Sequence, residues 1–459
     1  MGESGFTTGE ETTGSMSGTM STSMSTSSPS TSASTSMSTT DGPTTDETDP
    51  SSSSTTMEVT VTESSTTEDP STTTEPMETS SSSTEPMETS SSSTDPSTST
   101  GPIGTCSDDI IDDGLVCFGE FTEFGTGADP SDIEVGTFDD DTTVDVATAS
   151  STSNEVSVLL GDGAGSFAAA TAYVIGGMRP VQIAAADLNA DGFTDLVTAN
   201  TDSDDVSVLL AVGDGTLGTS VELPVGDAPS DLDLANLNGD AAPDLIVANS
   251  GDGNYTSGVN DGLGTFTLDA GAPWVTGVVG GAVGIVVGPI NGGNLDVWFC
   301  NGGAYGASQG SGNGAFDDSV IIAAMTGSDL RNANRGDVNA DADMDIVAVD
   351  RDDDLAYFFL GGMVAMFSPT PLDAGLEPSE AIIADVTGEG DPDVIVASEA
   401  GGIVTVFAGN GAGSFDDGVE LTVPDAPVAV AARDVDGDGV GDIITAHASG
   451  DIAVLLSDP

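Results

Sequence analysis

The sequence contains no lysine and a single histidine. Its basic charge comes from five arginines, set against 77 acidic residues, for a formal charge of −72. The arginines are Arg179, Arg331, Arg335, Arg351 and Arg433. A nucleic-acid duplex or an anionic bilayer would be repelled by such a field, so nucleic-acid binding and polybasic membrane attachment are excluded, and the charge suits solubility in a salty or calcium-rich medium. No apolar run reaches the roughly 18 residues of a membrane span, so no transmembrane segment is expected. No G-x-S-x-G elbow, H-E-x-x-H helix or Walker-type loop occurs. With His447 as the one histidine, no convincing catalytic constellation is visible and the chain does not read as an enzyme.

The opening stretch "MGESGFTTGEETTGS" has neither a basic n-region nor an apolar h-region, so it is not a signal peptide. Residues 1–104 are nearly all Ser, Thr, Pro, Glu and Met, with near-repeats such as "STEPMETSSS". With almost nothing to bury, they cannot offset the entropy of ordering, and a disordered Ser/Thr-rich stalk is expected, either a plain spacer or O-glycosylated. Stalks of this kind usually follow a secretion or lipoprotein signal, which places the expected start upstream or implies removal. Lipid or cell-envelope anchoring through such a signal is a further expectation. Cys106 and Cys117 lie eleven residues apart at the stalk junction, where an oxidising compartment could close them into a loop. Cys300, in "LDVWFCNGG", falls on an apolar strand and reads as a small buried residue.

From residue 105 to 459 the texture changes to a repeat. "DLNADGFTDLVTA" from Asp187, "NLNGDAAPDLIVA" from Asn236, "DVNADADMDIVAV" from Asp337, "DVTGEGDPDVIVA" from Asp385 and "DVDGDGVGDIITA" from Asp434 share one grammar. A weaker copy starts at Thr137 and a degraded one, "PINGGNLDVWF", near Pro289. The seven starts are about 48 to 53 residues apart. Each copy runs from an apolar stretch through the acidic loop into a β-rich run, a turn, a second β-rich run, a Gly-rich turn such as "GDGAGSF", and a last run. Segments of four to eight residues bounded by Gly, Asp and Asn read as strands. Four strands per unit and seven units predict an all-β fold, a seven-bladed β-propeller of four-stranded blades.

The "LLGDGAGSF" turns combined with D-x-[DN]-x-D-x-x-x-D loops resemble the FG-GAP or VCBS repeats of integrin α-subunit propellers and many bacterial surface proteins. The resemblance covers roughly residues 107–459. It implies the propeller strongly and the function weakly, because the scaffold serves adhesion, carbohydrate binding and occasionally catalysis.

The loops themselves point to Ca²⁺, which takes six to eight oxygens; side chains at positions 1, 3, 5 and 9 of a tight loop, with a backbone carbonyl at 7, enclose one ion. The expected ligands are Asp187, Asn189, Asp191 and Asp195; Asp337, Asn339, Asp341 and Asp345; and Asp434, Asp436, Asp438 and Asp442. Two weaker loops are Asn236, Asn238, Asp240 and Asp244, and Asp385, Thr387, Glu389 and Asp393. Asp139, Asp141 and Asp145 form a doubtful sixth, with Thr137 at position 1, and the degraded copy should bind nothing. About five structural calcium ions are therefore expected (one per loop). The plainer alternative is that these side chains satisfy turn backbone groups.

"RGD" at Arg335–Asp337 matches an integrin-recognised tripeptide, but Asp337 opens a calcium loop, so chance occurrence is the better reading. "NYT" at Asn254 is a glycosylation sequon. Trp274, Trp298, Tyr255 and Tyr305 gather in or near the degraded copy, as a binding patch or, slightly favoured, as compensating core. His447 reads as packed or hydrogen-bonded rather than catalytic. The expected function is a calcium-stabilised binding or adhesion module, secreted or at the cell surface, monomeric, taking an extracellular protein or glycan. A polysaccharide-active, lyase-like enzyme using a propeller face and calcium is the alternative. Finally, the last copy supplies three strands, and a segment around Val116–Phe124 is expected to complete it antiparallel to Ile452–Leu456, with Phe118, Phe121 or Phe124 buried.

Overall fold

The computed structural model describes residues 104–105, 117–127, 129–269, 274–276, 281–290, 293–316, 320–325, 328–362 and 368–458. These lie within one compact unit, Ser92–Pro459. The expected stalk, apart from Gly104, and Cys106 fall outside the described residues.

Seven antiparallel sheets follow one another, each built on four strands, with Trp274–Val275 added as a fifth in the third. The first blade is Pro130–Gly136, Asp145–Ser150, Glu155–Leu159 and Thr171–Val174. The second repeats it as Pro180–Ala186, Asp195–Asn200, Asp205–Leu209 and Val221–Pro224. The inner strands of the third to seventh blades are Pro229–Ala235, Gly284–Gly288, Leu330–Gly336, Pro378–Ala384 and Pro427–Arg433. Each inner strand lies against the next, and the seventh lies against the first, so the ring is closed.

Five inner strands begin with proline, and in each the register with the second strand shifts just after it. Proline belongs at such a first position, where its missing N–H removes little from the ladder, and a bulge there re-aims the next side chains.

The second strands are buried along their whole length, as in Asp345–Asp350. Period-two alternation explains why. Ile346 and Ala348 enter the core shared with the fourth blade, whereas Val347 and Val349 enter the core shared with the sixth. Seven such clusters fill the seven seams.

The ring closes as expected. Thr122–Gly125 is the outermost strand of the last blade, pairing Thr122 with Val454 and Phe124 with Ile452 antiparallel. Phe118 is buried in the core between the sixth and seventh blades, with Phe121 packed against it. Phe124 meets Phe167 of the first blade edge to face, with centroids 5.5 Å apart. A further three-stranded patch joins Gly104–Thr105, Cys117–Phe118 and Ser457–Asp458.

Candidate metal centres

The acidic loops connect the first and second strands of each blade. Their frame is an apolar plug at position 2 and an aspartate at position 9. Phe138, Leu188, Leu237, Ile290, Val338, Val386 and Val435 are the plugs, all at most 4% exposed. The position-9 carboxylate accepts the plug's amide on one oxygen and an amide at the end of the blade's third strand on the other. Asp195 thus takes Leu188 N at 2.9 Å and Ala211 N at 2.7 Å, and Asp442 takes Val435 N and Ser457 N, both at 2.8 Å. Asp145, Asp244, Asp345 and Asp393 do the same.

Asp296 of the fourth blade also accepts from Gly310, at 3.0 Å, and from Ile290, although the rest of that loop has lost its acids. Position 9 is therefore a frame residue in all seven blades, a role that its spacing did not disclose. Burial raises these carboxyl groups, to about 6 for Asp145, Asp195 and Asp393, with the backbone bonds opposing the shift.

Positions 1, 3 and 5 curl over the loop as successive Asx turns. Asp187 accepts Asp191 N and Gly192 N, and Asn189 and Asp191 each accept the amide two residues on. The loop at Asp337, Asn339 and Asp341 repeats this set. Asn236 accepts only Gly239 N, and Asp385 accepts Gly388 N and Gly390 N.

Position 3 separates the loops. Asn189, Asn238 and Asn339 turn their amide nitrogens onto Asp191, Asp240 and Asp341 at 2.9 Å, so an internal bond occupies the loop. Thr387 turns to Asp393 instead, and Glu389 is pushed up by burial and by Asp391, Asp385 and Asp416. In the last loop Asp436 replaces the amide. There Asp434, Asp436 and Asp442 bring oxygens within 4.8 Å of one another, the one such acidic set of three among the described residues. Asp438 completes the chain of turns through Val440 N.

Several loops are also roofed by the following blade. A glycine of that blade donates to the plug's carbonyl at four seams, Gly165 to Val435, Gly215 to Phe138, Gly314 to Leu237 and Gly362 to Ile290, and Asn260 Nδ2 reaches the Leu188 carbonyl at 2.8 Å. An apolar side chain of the preceding blade fills the space where a Cβ would stand. A Cβ on Gly413 would lie 2.6 Å from Leu360 Cδ1, and one on Gly165 2.7 Å from Leu456 Cδ1, with φ at +75° and +78°. Only glycine meets both conditions.

Residues 138–198, 187–247 and 385–445 match the FG-GAP-like repeat model. The chain carries FG-GAP-like repeats on a seven-bladed β-propeller. Similar solved structures include BBS1N in complex with ARL6DN, 13% identical with a TM-score of 0.53 over 73% of this chain and 95% of that one. Virginiamycin B lyase from Staphylococcus aureus is 15% identical, with a TM-score of 0.51 over 73% of this chain and 98% of that one. At these identities the likeness concerns the fold. Among curated proteins, none matches the sequence.

The remaining candidates find their places in the FG-GAP propeller. Arg335 pairs with Asp233, and Asp337 is held by Asp341 and Ala342, so the RGD residues are not presented together. Asn254 is 6% exposed, within a strand, and accepts Asn249 Nδ2 at 2.8 Å, so its sequon is closed. Trp298, Tyr255 and Tyr305 are at most 1% exposed and pack in the cores flanking the fourth blade. That decides for core over binding patch; Trp274 is half-buried against Phe316. Cys300 is buried. His447 is buried between Thr445 Oγ1, at 2.7 Å, and the Asp425 carbonyl, at 3.2 Å, and burial lowers its pKa. Among the described residues no helix is long and apolar enough to cross a membrane.

Proposed function

We propose that this FG-GAP propeller is a calcium-stabilised binding module, secreted or displayed at the cell surface, which recognises an extracellular protein or glycan. The observation that carries the calcium reading is the convergence of Asp434, Asp436 and Asp442. An all-oxygen set of carboxylates is the donor chemistry that a hard divalent cation takes, and Asp438 would add a fourth side chain. The same role would fall to Asp187, Asp191 and Asp195, and to Asp337, Asp341 and Asp345, with Asn189 and Asn339 offering their oxygens. A bound cation would neutralise the loop carboxylates and stiffen the turn; it is assigned no chemical step.

Binding rather than turnover is favoured because the one histidine is held inside a blade by two polar partners. The acidic surface and the Ser/Thr-rich N-terminal hundred residues suit display outside the cell. The test is a glycan and extracellular-protein array probed with the full chain in calcium and in chelator. Binding that chelator abolishes is expected. Release of new reducing or unsaturated ends from a polysaccharide would replace this reading with a catalytic one.

A further inference from the structure

The inner strands enclose a cavity of about 390 Å³ on the ring axis. Its lining is unlike the rest of the interior. The first blade contributes Asp132 and Glu134, the third Asp231 and Asp233, and the sixth Glu380. Against these five carboxylates stands one guanidinium, Arg335 of the fifth blade, already paired with Asp233. The inner strands of the second, fourth and seventh blades line it with Gln182 and apolar residues, without titratable groups; the buried thiol of Cys300 lies behind Asp231.

These carboxylates hold the seams. Asp132 accepts Ile183 N of the next blade at 2.8 Å, Asp231 accepts Ile285 N at 2.7 Å, and Glu380 accepts Val430 N at 2.8 Å. Asp233 accepts Val287 N at 2.8 Å. The bond itself does not require a charge. Asn332, at the equivalent place after the bulge, joins its seam through Nδ2 to the Ser379 carbonyl at 2.8 Å. An amide or a protonated carboxyl would accept the same amides. Ionised, Asp132, Asp231 and Glu380 are each at least 91% buried and face one another and Glu134 across a space with no free cation among its lining residues. Charge here works against the ring that the hydrogen bonds close.

We propose that the axial cavity is a pH-sensitive lock: protons taken up by Asp132, Glu134, Asp231 and Glu380 on mild acidification remove their mutual repulsion and tighten the ring of blades. Burial first, then the Asp132 carboxylate, pushes Glu134 up to about 8; burial pushes Asp132 up to about 7; Asp231 and Glu380 are also well raised. In the unfolded chain these groups return to about 4. The native state therefore binds more protons between those limits. The stabilisation is full below the unfolded value and is lost as pH rises through about 7 to 8. The direction is opposite to that of a protein held by paired carboxylates.

The test compares melting temperatures of the full chain, in excess calcium throughout, with two amide variants. Glu134→Gln leaves every seam bond in place, because Glu134 accepts from Val135 of its own strand. Asp132→Asn keeps an oxygen for Ile183 N. Each should melt higher than the native chain at about pH 9, by about 2 °C or more, and the gap should close at about pH 5. Loop carboxylates titrate alike in all three proteins and cancel in the difference. Variants that melt no higher than the native chain at about pH 9, or a gap that persists at about pH 5, would overturn the lock.

Discussion

The amide of Gly165 donates to the carbonyl of Val435 at 3.1 Å, across the seam where the last blade meets the first. Val435 plugs the acidic loop that begins at Asp434, and Gly165 belongs to the next blade's Gly-rich turn. An acidic loop is thus a component of two blades at once. Whatever stiffens the loop also stiffens the seam.

Chelation should therefore lower the melting temperature of the whole ring. A ligand bound only by the native state at 100 times its Kd adds about 2.7 kcal/mol per site. Asp436→Ala should lower calcium stoichiometry by about one ion (one loop, one ion), read by isothermal titration. A melt unaffected by EDTA would count decisively against structural calcium.

The fourth blade separates frame from ligand. Asp296→Ala strands two buried amides, each costing about 1–3 kcal/mol, so denaturant unfolding should show a loss of about 2–6 kcal/mol. Calcium stoichiometry should stay at the native value. A loss below about 1 kcal/mol would mean that the amides find other acceptors.

Ring closure can be tested by truncation. Removing residues 1–103 should leave the melt intact, whereas removing 1–125 takes away both Phe118 and the strand paired with Asp451–Val454. Phe118→Ala alone should cost about 3–5 kcal/mol. Equal stability of the two truncations would contradict the pairing.

Much of this fold was legible because each blade repeats the same local grammar, and counting strands at the two ends exposed the shared seventh blade. The frame role of position 9 was not legible, since a calcium ligand and a backbone acceptor occupy the same place in the spacing. Asp296 reveals the difference only by keeping its bonds where the other acids are gone. The axial carboxylates were missed for another reason. "PSDIEVG" and "PSDLDLA" alternate like strands with one face in water, and sequence alone cannot tell solvent from a shared axis. Trp298 and Tyr305 could have belonged to surface or core; stacking at 6.0 Å inside the fourth blade's core decides it.

The shared seventh blade also dictates the order in which the molecule can be completed during synthesis. Thr126 and Gly450 are joined by hydrogen bonds across 324 residues. Six blades can assemble as the chain emerges, each from neighbouring residues, and such local contacts form quickly. The seam to the first blade must wait until Asp451–Leu455 has been made. Until then the apolar faces around Ile133 and Phe167 remain uncovered. A nascent chain stalled before Asp451 is therefore the species most exposed to aggregation and chaperone capture.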